Sequence, residues 1–515
     1  MLRKKIYNYR WAALAVICLS VLIINVDNTI LNVALPTLVR KLNATSSGLQ
    51  WVVDSYAMVF AGLLLVAGSL ADRFGRKLLF MIGLVIFAGG STGAALSGSV
   101  NSLIVWRIIM GAGAAMLIPA SLSTINHIFT KPSDRAKAIG IWAGTVGIGI
   151  AIGPIAGGLL LSKFWWGSIF LVNVPIAAIG FIGALLLVPN SRNPKVNRPD
   201  FGGAILSILG LGLLLWAIIE APVHGWTSVG VVIAGLSSFI VLGVFIGWEH
   251  LSQYPMLKLN FFRERRFSIA ALAELLGIFG LMGALFIQTQ FLQFDLGYSP
   301  LAAGLRILPV AAMVVVSAPL SPLVARILSV KFTVAAGLAA VAAGLWQIST
   351  ISAVHPTFVS ILPGMLLIGL GSGIMMPTAT NSLIGSVPRE ESGVGSATNS
   401  VAFQVGGALG VAVIGSILAT RYQSHIKLAT MGYHIPVSVM HTILGSLGGA
   451  LGVASSVGGS SGALLAHAAR LAFMSGLKVS LVVGSLVALG GILLVIAFLP
   501  KRPSKQVVSD NESRL

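Results

Sequence analysis

Four ionisable residues stand inside long apolar runs, where a charge is costly: Asp27, Asp54, Arg107 and Glu274. An ionisable group well inside a bilayer costs roughly 2.5–3.5 kcal/mol on insertion scales and is a functional candidate by default. Asp27 is the clearest, about 24 Å along its helix from Trp11 and about 12 Å from the helix's far end. Asn25, Asn28, Thr29 and Asn32 give the same helix a polar stripe. Desolvation favours the neutral form of a carboxyl, which suits such a group to proton exchange near neutral pH. Arg107 and Asp54 lie about 8 Å and about 6 Å from the same side of the membrane, so the three are expected to form one coupled site. In that site Arg107 keeps the charge balance while a carboxylate gains and loses a proton. The plainer alternatives are a structural, hydrogen-bonded Asp27, an Arg107 that snorkels to the headgroups, and an Asp54 solvated at a helix start. Glu274 either offers a second acidic contact to a cation or pairs with Arg263, Arg265 or Arg266. Glu220, Glu249 and Asp295 fall at helix ends and are expected to be solvated. Gln288, Gln290, Gln293, Asn381, Asn399 and Gln404 either line a cavity or join helices by hydrogen bonds.

The elements that hold these residues are membrane helices. The chain has 515 residues, 56% hydrophobic and 9% charged, with a mean hydropathy of +0.95. Soluble domains carry about 25% charged residues, so the composition indicates an all-α polytopic membrane protein. Runs of about 20 apolar residues mark fourteen spans, from 11–35 to 479–499. With the N-terminus inside, Lys and Arg favour the cytoplasmic side by about three to one, which places both termini there. That bias, rather than nucleic-acid binding, explains the net charge of +19. The N-terminal run has no small-residue cleavage site and is read as a retained span rather than a signal peptide. Segment 437–457 is apolar and could be a fifteenth span, but a further crossing would put Lys501, Arg502 and Lys505 outside. It is expected instead to fold back within a long outer loop, 421–478. The expected layout is a six-helix bundle (1–189), cytoplasmic linkers and an inserted helix pair (190–266), a second six-helix bundle (267–500) and a cytoplasmic tail (501–515).

Several chemistries are missing. No G-x-x-x-x-G-K-[ST] loop, G-x-G-x-x-G or H-E-x-x-H occurs, the eight histidines are scattered, and the one cysteine, Cys18, permits no internal disulfide. The sequence therefore points to a gradient-driven transporter without cofactor, metal or catalytic cluster, rather than to a membrane-embedded enzyme. Helix 5 carries Gly140, Gly149, Gly153, Pro154, Gly157 and Gly158. Gly149 and Gly153 make a small-xxx-small face for close packing, and Pro154 removes a backbone hydrogen bond.

Four segments resemble a known family. Gly68-Ser-Leu-Ala-Asp72-Arg73-Phe-Gly75-Arg76-Lys77 matches the loop 2–3 signature of the major facilitator superfamily at each defining position. The stretch around Arg107, with Gly111 and Gly113, resembles its helix 4 motif. The helix 5 glycines are similar to its antiporter motif, and Asp27-Asn-Thr-Ile-Leu-Asn32-Val-Ala-Leu-Pro36 resembles the helix 1 signature of the fourteen-helix, EmrB/QacA-like drug:proton antiporters. The resemblance implies a major facilitator fold of two six-helix bundles with alternating access, exporting lipophilic organic cations in exchange for protons. It implies that Asp72, Arg73 and Arg76, with Gly68 and Gly75, form a gate between the bundles. Spans 10 and 13 hold no interior acid, so monovalent cations and dyes are the expected substrates. The runner-up is an exporter of one endogenous metabolite, such as a siderophore, lipid precursor or amino acid. The expected setting is the bacterial plasma (inner) membrane, with the protein acting as a monomer and a periplasmic adaptor as a further potential partner through the outer loop.

Overall fold

The computed structural model describes residues 2–192, 199–351, 356–388, 392–431 and 434–500, so the expected tail, 501–515, lies outside the described residues. Apolar side chains face outward along most helices, as a lipid-facing surface requires, with Leu186, Leu251 and Ile327 at 74%, 86% and 75% exposure. In such a solvent the backbone must satisfy its own hydrogen bonds, which leaves helices as the economical element. The helices are α1 (Leu2–Leu42), α2 (Ser46–Phe74), α3 (Arg76–Ala95), α4 (Val100–Ile128) and α5 (Pro132–Lys163). The sixth span is broken at Val172 into α6 (Ser168–Leu171) and α7 (Asn173–Leu187). Then come α8 (Phe201–His224), α9 (Val229–Leu251), α10 (Arg265–Gln290), α11 (Pro300–Ser317), α12 (Ser321–Ser349), α13 (Phe358–Ile384) and α14 (Ser392–Ala429). The chain closes with α15 (Val437–Gly445), α16 (Leu447–Val457) and α17 (Gly459–Phe498).

Among the described residues, 12 helical runs are long and apolar enough to cross a membrane. One of these runs, Pro300–Ser349, is 50 residues long and contains α11 and α12. Its helix is interrupted at Ser329, where φ is 69°. Helices α1 to α7 pack on one another, as do α10 to α17, and the two groups meet where α5 packs on α11 and α2 on α14. The hairpin α8–α9 lies against α2 and α14 together. It is tied to both, since Trp51 Nε1 donates to Glu220 Oε1 at 3.0 Å and Trp226 Nε1 to Thr420 Oγ1 at 3.1 Å.

The stretch expected as an outer loop is largely helical. α14 continues to Ala429 and α17 begins at Gly459, so helices of 38 and 40 residues, about 57 and 60 Å long, outrun a hydrocarbon core of about 30 Å. Between them α15 and α16 have only 9 and 11 residues, half the length of a span, with a break at Ser446. These four segments form a cap whose elbow rests on the ends of α1 and α2. Ser46 Oγ donates to Gly445 O at 3.0 Å, and Gly448 leaves no room for a Cβ beside Phe294 and Val39. Loop-like Gly and Ser content conceals these helices in the sequence, because the small residues are needed for that close approach.

Candidate functional site

α1 and α4 bring Asp27 and Arg107 together in the core of the first helical group, where the two side chains are 0% and 1% exposed. Arg107 Nη1 donates to Asp27 Oδ2, and Asn173 Nδ2 donates to the other carboxylate oxygen at 3.0 Å. Asn173 also reaches Ser91 Oγ at 3.3 Å. Arg107 Nε donates to Val52 O on α2 at 3.0 Å, and its guanidinium lies 4.2 Å from the centre of the Tyr56 ring. Both carboxylate oxygens and the cation are thus engaged, and the snorkelling alternative for Arg107 is overturned. Asn173 and Tyr56 are absent from the sequence-based candidates. A lone amide in the apolar segment Asn173–Leu187 is the signal for the first; nothing in its spacing marks the second.

Asp54 does not join this site. It is 0% exposed, not solvated, but on a helix of 3.6 residues per turn it faces away from Val52 and Tyr56, the residues that Arg107 touches. Its neighbours at i−4 and i+3 are Gln50 and Ala57, and both meet α14. Gln50 Nε2 donates to Val411 O and Ala412 O at 3.1 and 3.0 Å, and Ala57 packs with Ala408 and Ala412. Asp54 therefore lies on the seam between the two helical groups, and neither of its carboxyl oxygens has a hydrogen-bond partner.

The helix 5 glycines seat α5 on α1 within the first group and, through Gly158, on α11 across the seam. A Cβ at Gly149 would stand 2.5 Å from Asn25 Cβ, one at Gly157 2.8 Å from Ile30 Cγ1, and one at Gly153 would collide with the Thr29 hydroxyl. Thr29 Oγ1 donates to Gly149 O at 3.1 Å across the contact. On the opposite face a Cβ at Gly158 would come 2.5 Å from Leu301 Cα, and Gly304 of α11 presses on the Pro154 carbonyl. Gly140 has open space around it and takes no part in this packing. Gly153→Ala should therefore lower the melting temperature of the detergent-purified protein, by the cost of overpacking a tight contact. Gly140→Ala should leave it unchanged; equal effects would contradict this packing.

The seam is shut at the end of the molecule remote from the N-terminus of α1. There Gln293 Nε2 of the second group donates to Val33 O of α1 at 2.8 Å, mirroring the reach of Gln50 from the first. Just beneath lies a small cavity of about 20 Å³ between the groups, lined by Thr29, Asn32, Pro154, Leu281, Leu285 and Ile307 among others. At the other end the loop signature folds on its own group. Arg76 Nε donates to Asp72 Oδ1 at 2.8 Å and its Nη1 to Ser123 O at 3.1 Å, while Arg73 stands over Phe74. Gly75 adopts φ 121°, a conformation that favours glycine, and Arg76 N donates to Ser191 O at 3.0 Å. Gly68 is less constrained, with a Cβ placed 3.5 Å from Pro119.

Glu274 is 1% exposed. Its Oε2 has no hydrogen-bond partner, and the nearby Thr380 hydroxyl donates to Asn399 Oδ1 at 3.1 Å. Arg266 is occupied elsewhere, donating to Ser382 Oγ at 3.1 Å. The helix-end acids also differ from expectation: Glu249 is 2% exposed and accepts from Leu257 N at 2.9 Å, because the segment after α9 folds back over it.

The family model described as the Major Facilitator Superfamily matches residues 17–411. The chain belongs to that superfamily. As a major facilitator protein it is a transporter and not an enzyme. It is 34% identical over 493 residues to the multidrug efflux pump LfrA of Mycolicibacterium smegmatis, covering 95% of this chain and 96% of that one. It is 36% identical over 402 residues to the multidrug resistance protein Stp of Mycobacterium tuberculosis, covering 78% and 74%. The methyl viologen resistance protein SmvA of Salmonella typhimurium is 29% identical, with 95% and 97% covered. The fold agrees with an inward-facing, unoccupied bacterial homologue of the lysosomal transporter Spinster, at a TM-score of 0.68, 18% identity and 96% and 99% coverage.

Proposed function

We propose that this chain is a fourteen-helix, proton-coupled multidrug exporter of the EmrB/QacA-like group, moving lipophilic organic cations and dyes by alternating access. The Asp27–Arg107 pair carries the reading. A buried ion pair gives no assured gain in stability, since its desolvation cost can exceed its attraction, and its retention in a membrane core argues for a role in coupling. Fourteen crossings are supported by two features of the helices. The 50-residue run from Pro300 to Ser349 is about 75 Å of helix, enough for two crossings with the interruption at Ser329 between them, and α5 has 32 residues. An even number of crossings, with the Lys and Arg bias, puts both termini in the cytoplasm of a bacterial plasma membrane and the shut end of the seam outside. In that setting Asp72, Arg73 and Arg76 are the cytoplasmic gate, and their bonds within the first group belong to its unlatched state. The protein acts as a monomer in this reading.

The two acids divide the work. Asp27 takes the proton and the cation in exchange for Arg107 when the site opens. Asp54 has no counter-ion at the closed seam, and an ionised carboxylate there would bear a large uncompensated desolvation cost. The seam accordingly closes over the neutral acid, so protonation from outside and closure are one event. Glu274 is the acidic group available to a cation in the second helical group. Substrate breadth follows the relatives, whose names include methyl viologen and puromycin resistance.

Everted vesicles loaded by an imposed pH gradient test this reading. Two unrelated cationic dyes should be taken up and compete with each other; uptake of one anionic or zwitterionic metabolite alone would favour the single-metabolite exporter. The glutamine latch makes a separate expectation. Gln50→Ala removes the amide's hydrogen bonds across the seam to Val411 O, Ala412 O and Ser416 Oγ and should widen the distance between spin labels at Lys163 and Ser299, whereas Gln290→Ala, whose amide bonds its own helix at Phe286 O, should not. An unchanged distance in Gln50→Ala would remove Gln50 from the gate.

A further inference from the structure

The cap contains a pocket that the transport cycle does not use. Its volume is about 410 Å³, within the range of small-molecule sites, and it lies between the end of α14, α15, α16 and the start of α17. Ile435, Val439, Ile443, Val453 and Leu465 give it apolar walls, and Thr430, His434 and Ser461 bring polar groups to it. Around it Leu428, Met431, Val437, Val457 and Leu464 are 64%, 71%, 78%, 58% and 63% exposed. A group of large apolar side chains exposed together marks a contact surface.

Two further observations define the occupant. Residues 421–478 contain Arg421, Lys427, Arg470, Lys478 and four histidines, but no Asp or Glu. Asp295, outside the cap, lies close enough to Arg470 to interact with its charge. Lys427 is exposed one turn or less from the pocket residues Ala429 and Thr430, and His434 is in the pocket itself. This field repels a lipophilic cation and attracts an anion. The second observation is position. Leu464 is 34 residues from the end of α17, about 51 Å of helix, so the pocket lies beyond a hydrocarbon core of about 30 Å. A bilayer phospholipid does not reach it without leaving the membrane, whereas a single-chain amphiphile is monomeric in water.

We propose that the cap pocket binds a water-borne, single-chain anionic amphiphile, its chain between Ile443, Val453 and Leu465 and its acidic head at Lys427 and His434. The test uses the full chain in phosphatidylcholine nanodiscs and a diazirine-bearing palmitate as photoprobe, with peptides mapped after illumination. Label should concentrate in 426–468 and fall at least fivefold in Ile443→Trp, which fills the pocket, and in Lys427→Glu/His434→Glu. The same chain with a trimethylammonium head should label the cap at least fivefold less. A melting temperature equal to wild type shows that each variant is folded, and the charge variant keeps the test decisive if Ile443→Trp is not. Label spread over the lipid-facing helices and indifferent to both variants would overturn the site. Equal labelling by the cationic probe would overturn its selectivity for anions. Cap labelling by a phospholipid carrying the same diazirine chain would overturn the water-borne source.

Discussion

Asp27→Asn and Arg107→Gln should each destabilise the purified protein, and the double variant should recover most of the loss. Each single change strands the other member of a pair that is 0% and 1% exposed. Breaking a buried pair by removing one partner costs about 3–5 kcal/mol, because an uncompensated charge remains. Removing both leaves two neutral side chains able to hydrogen-bond to each other, to Asn173 and to Val52 O. The melting temperatures of the four proteins form a double-mutant cycle, and the expected coupling is large and favourable. Transport should behave differently, lost in both single variants and in the double. Recovery of transport with stability would make the pair a structural brace, the plainer alternative for Asp27. Additive destabilisation would show that the two residues are not partners in the folded protein.

The second large effect is at the seam. Asp54→Asn should leave the fold intact, because neither carboxyl oxygen it replaces has a hydrogen-bond partner in the closed conformation. The transport consequence is expected to be severe. With a side chain that cannot ionise, the seam closes whatever the external pH, so closure is no longer tied to proton uptake. Exchange of labelled for unlabelled dye, which needs no net proton movement, should continue near the wild-type rate, while uphill uptake driven by a pH gradient falls at least tenfold. In wild type the Lys163–Ser299 label distance should lengthen as pH rises, since the ionised acid opposes closure, and Asp54→Asn should abolish that dependence. Uphill uptake that survives Asp54→Asn would remove Asp54 from coupling.

The two acids show what a linear sequence reveals and what it hides. Depth along a helix is a matter of counting residues, and Asp27, Asp54 and Arg107 are all buried away from water, as counting suggests. Direction around the helix also follows from counting, and there the expectation of one three-membered site overlooks a signal. Gln50 and Asp54 are four residues apart and share a face, while Val52 and Tyr56 share the opposite one. What no count can supply is the helix that each face meets. Gln50 reaching backbone carbonyls of α14 and Gln293 reaching Val33 O depend on the docking of two groups more than 200 residues apart. Backbone acceptors have no sequence signature. The glycines of helix 5 are legible as a packing surface, but their partners at Thr29, Ile30 and Leu301 are not. The cap reads as a loop because length and apolarity report membrane crossing, and helices of 9 and 11 residues packed on one another are too short for that measure. Long apolar runs are the most legible feature, because crossing a bilayer needs about 20 consecutive apolar residues.

The central claim is that substrate and proton exchange through Asp27. Proteoliposomes with an internal pH reporter test it most directly, by addition of a monovalent cationic dye to wild type and to Asp27→Asn. The expected result is dye-triggered proton movement in wild type and none in Asp27→Asn. Proton movement of wild-type size in Asp27→Asn would contradict the assignment and move the exchange site to Asp54 or Glu274.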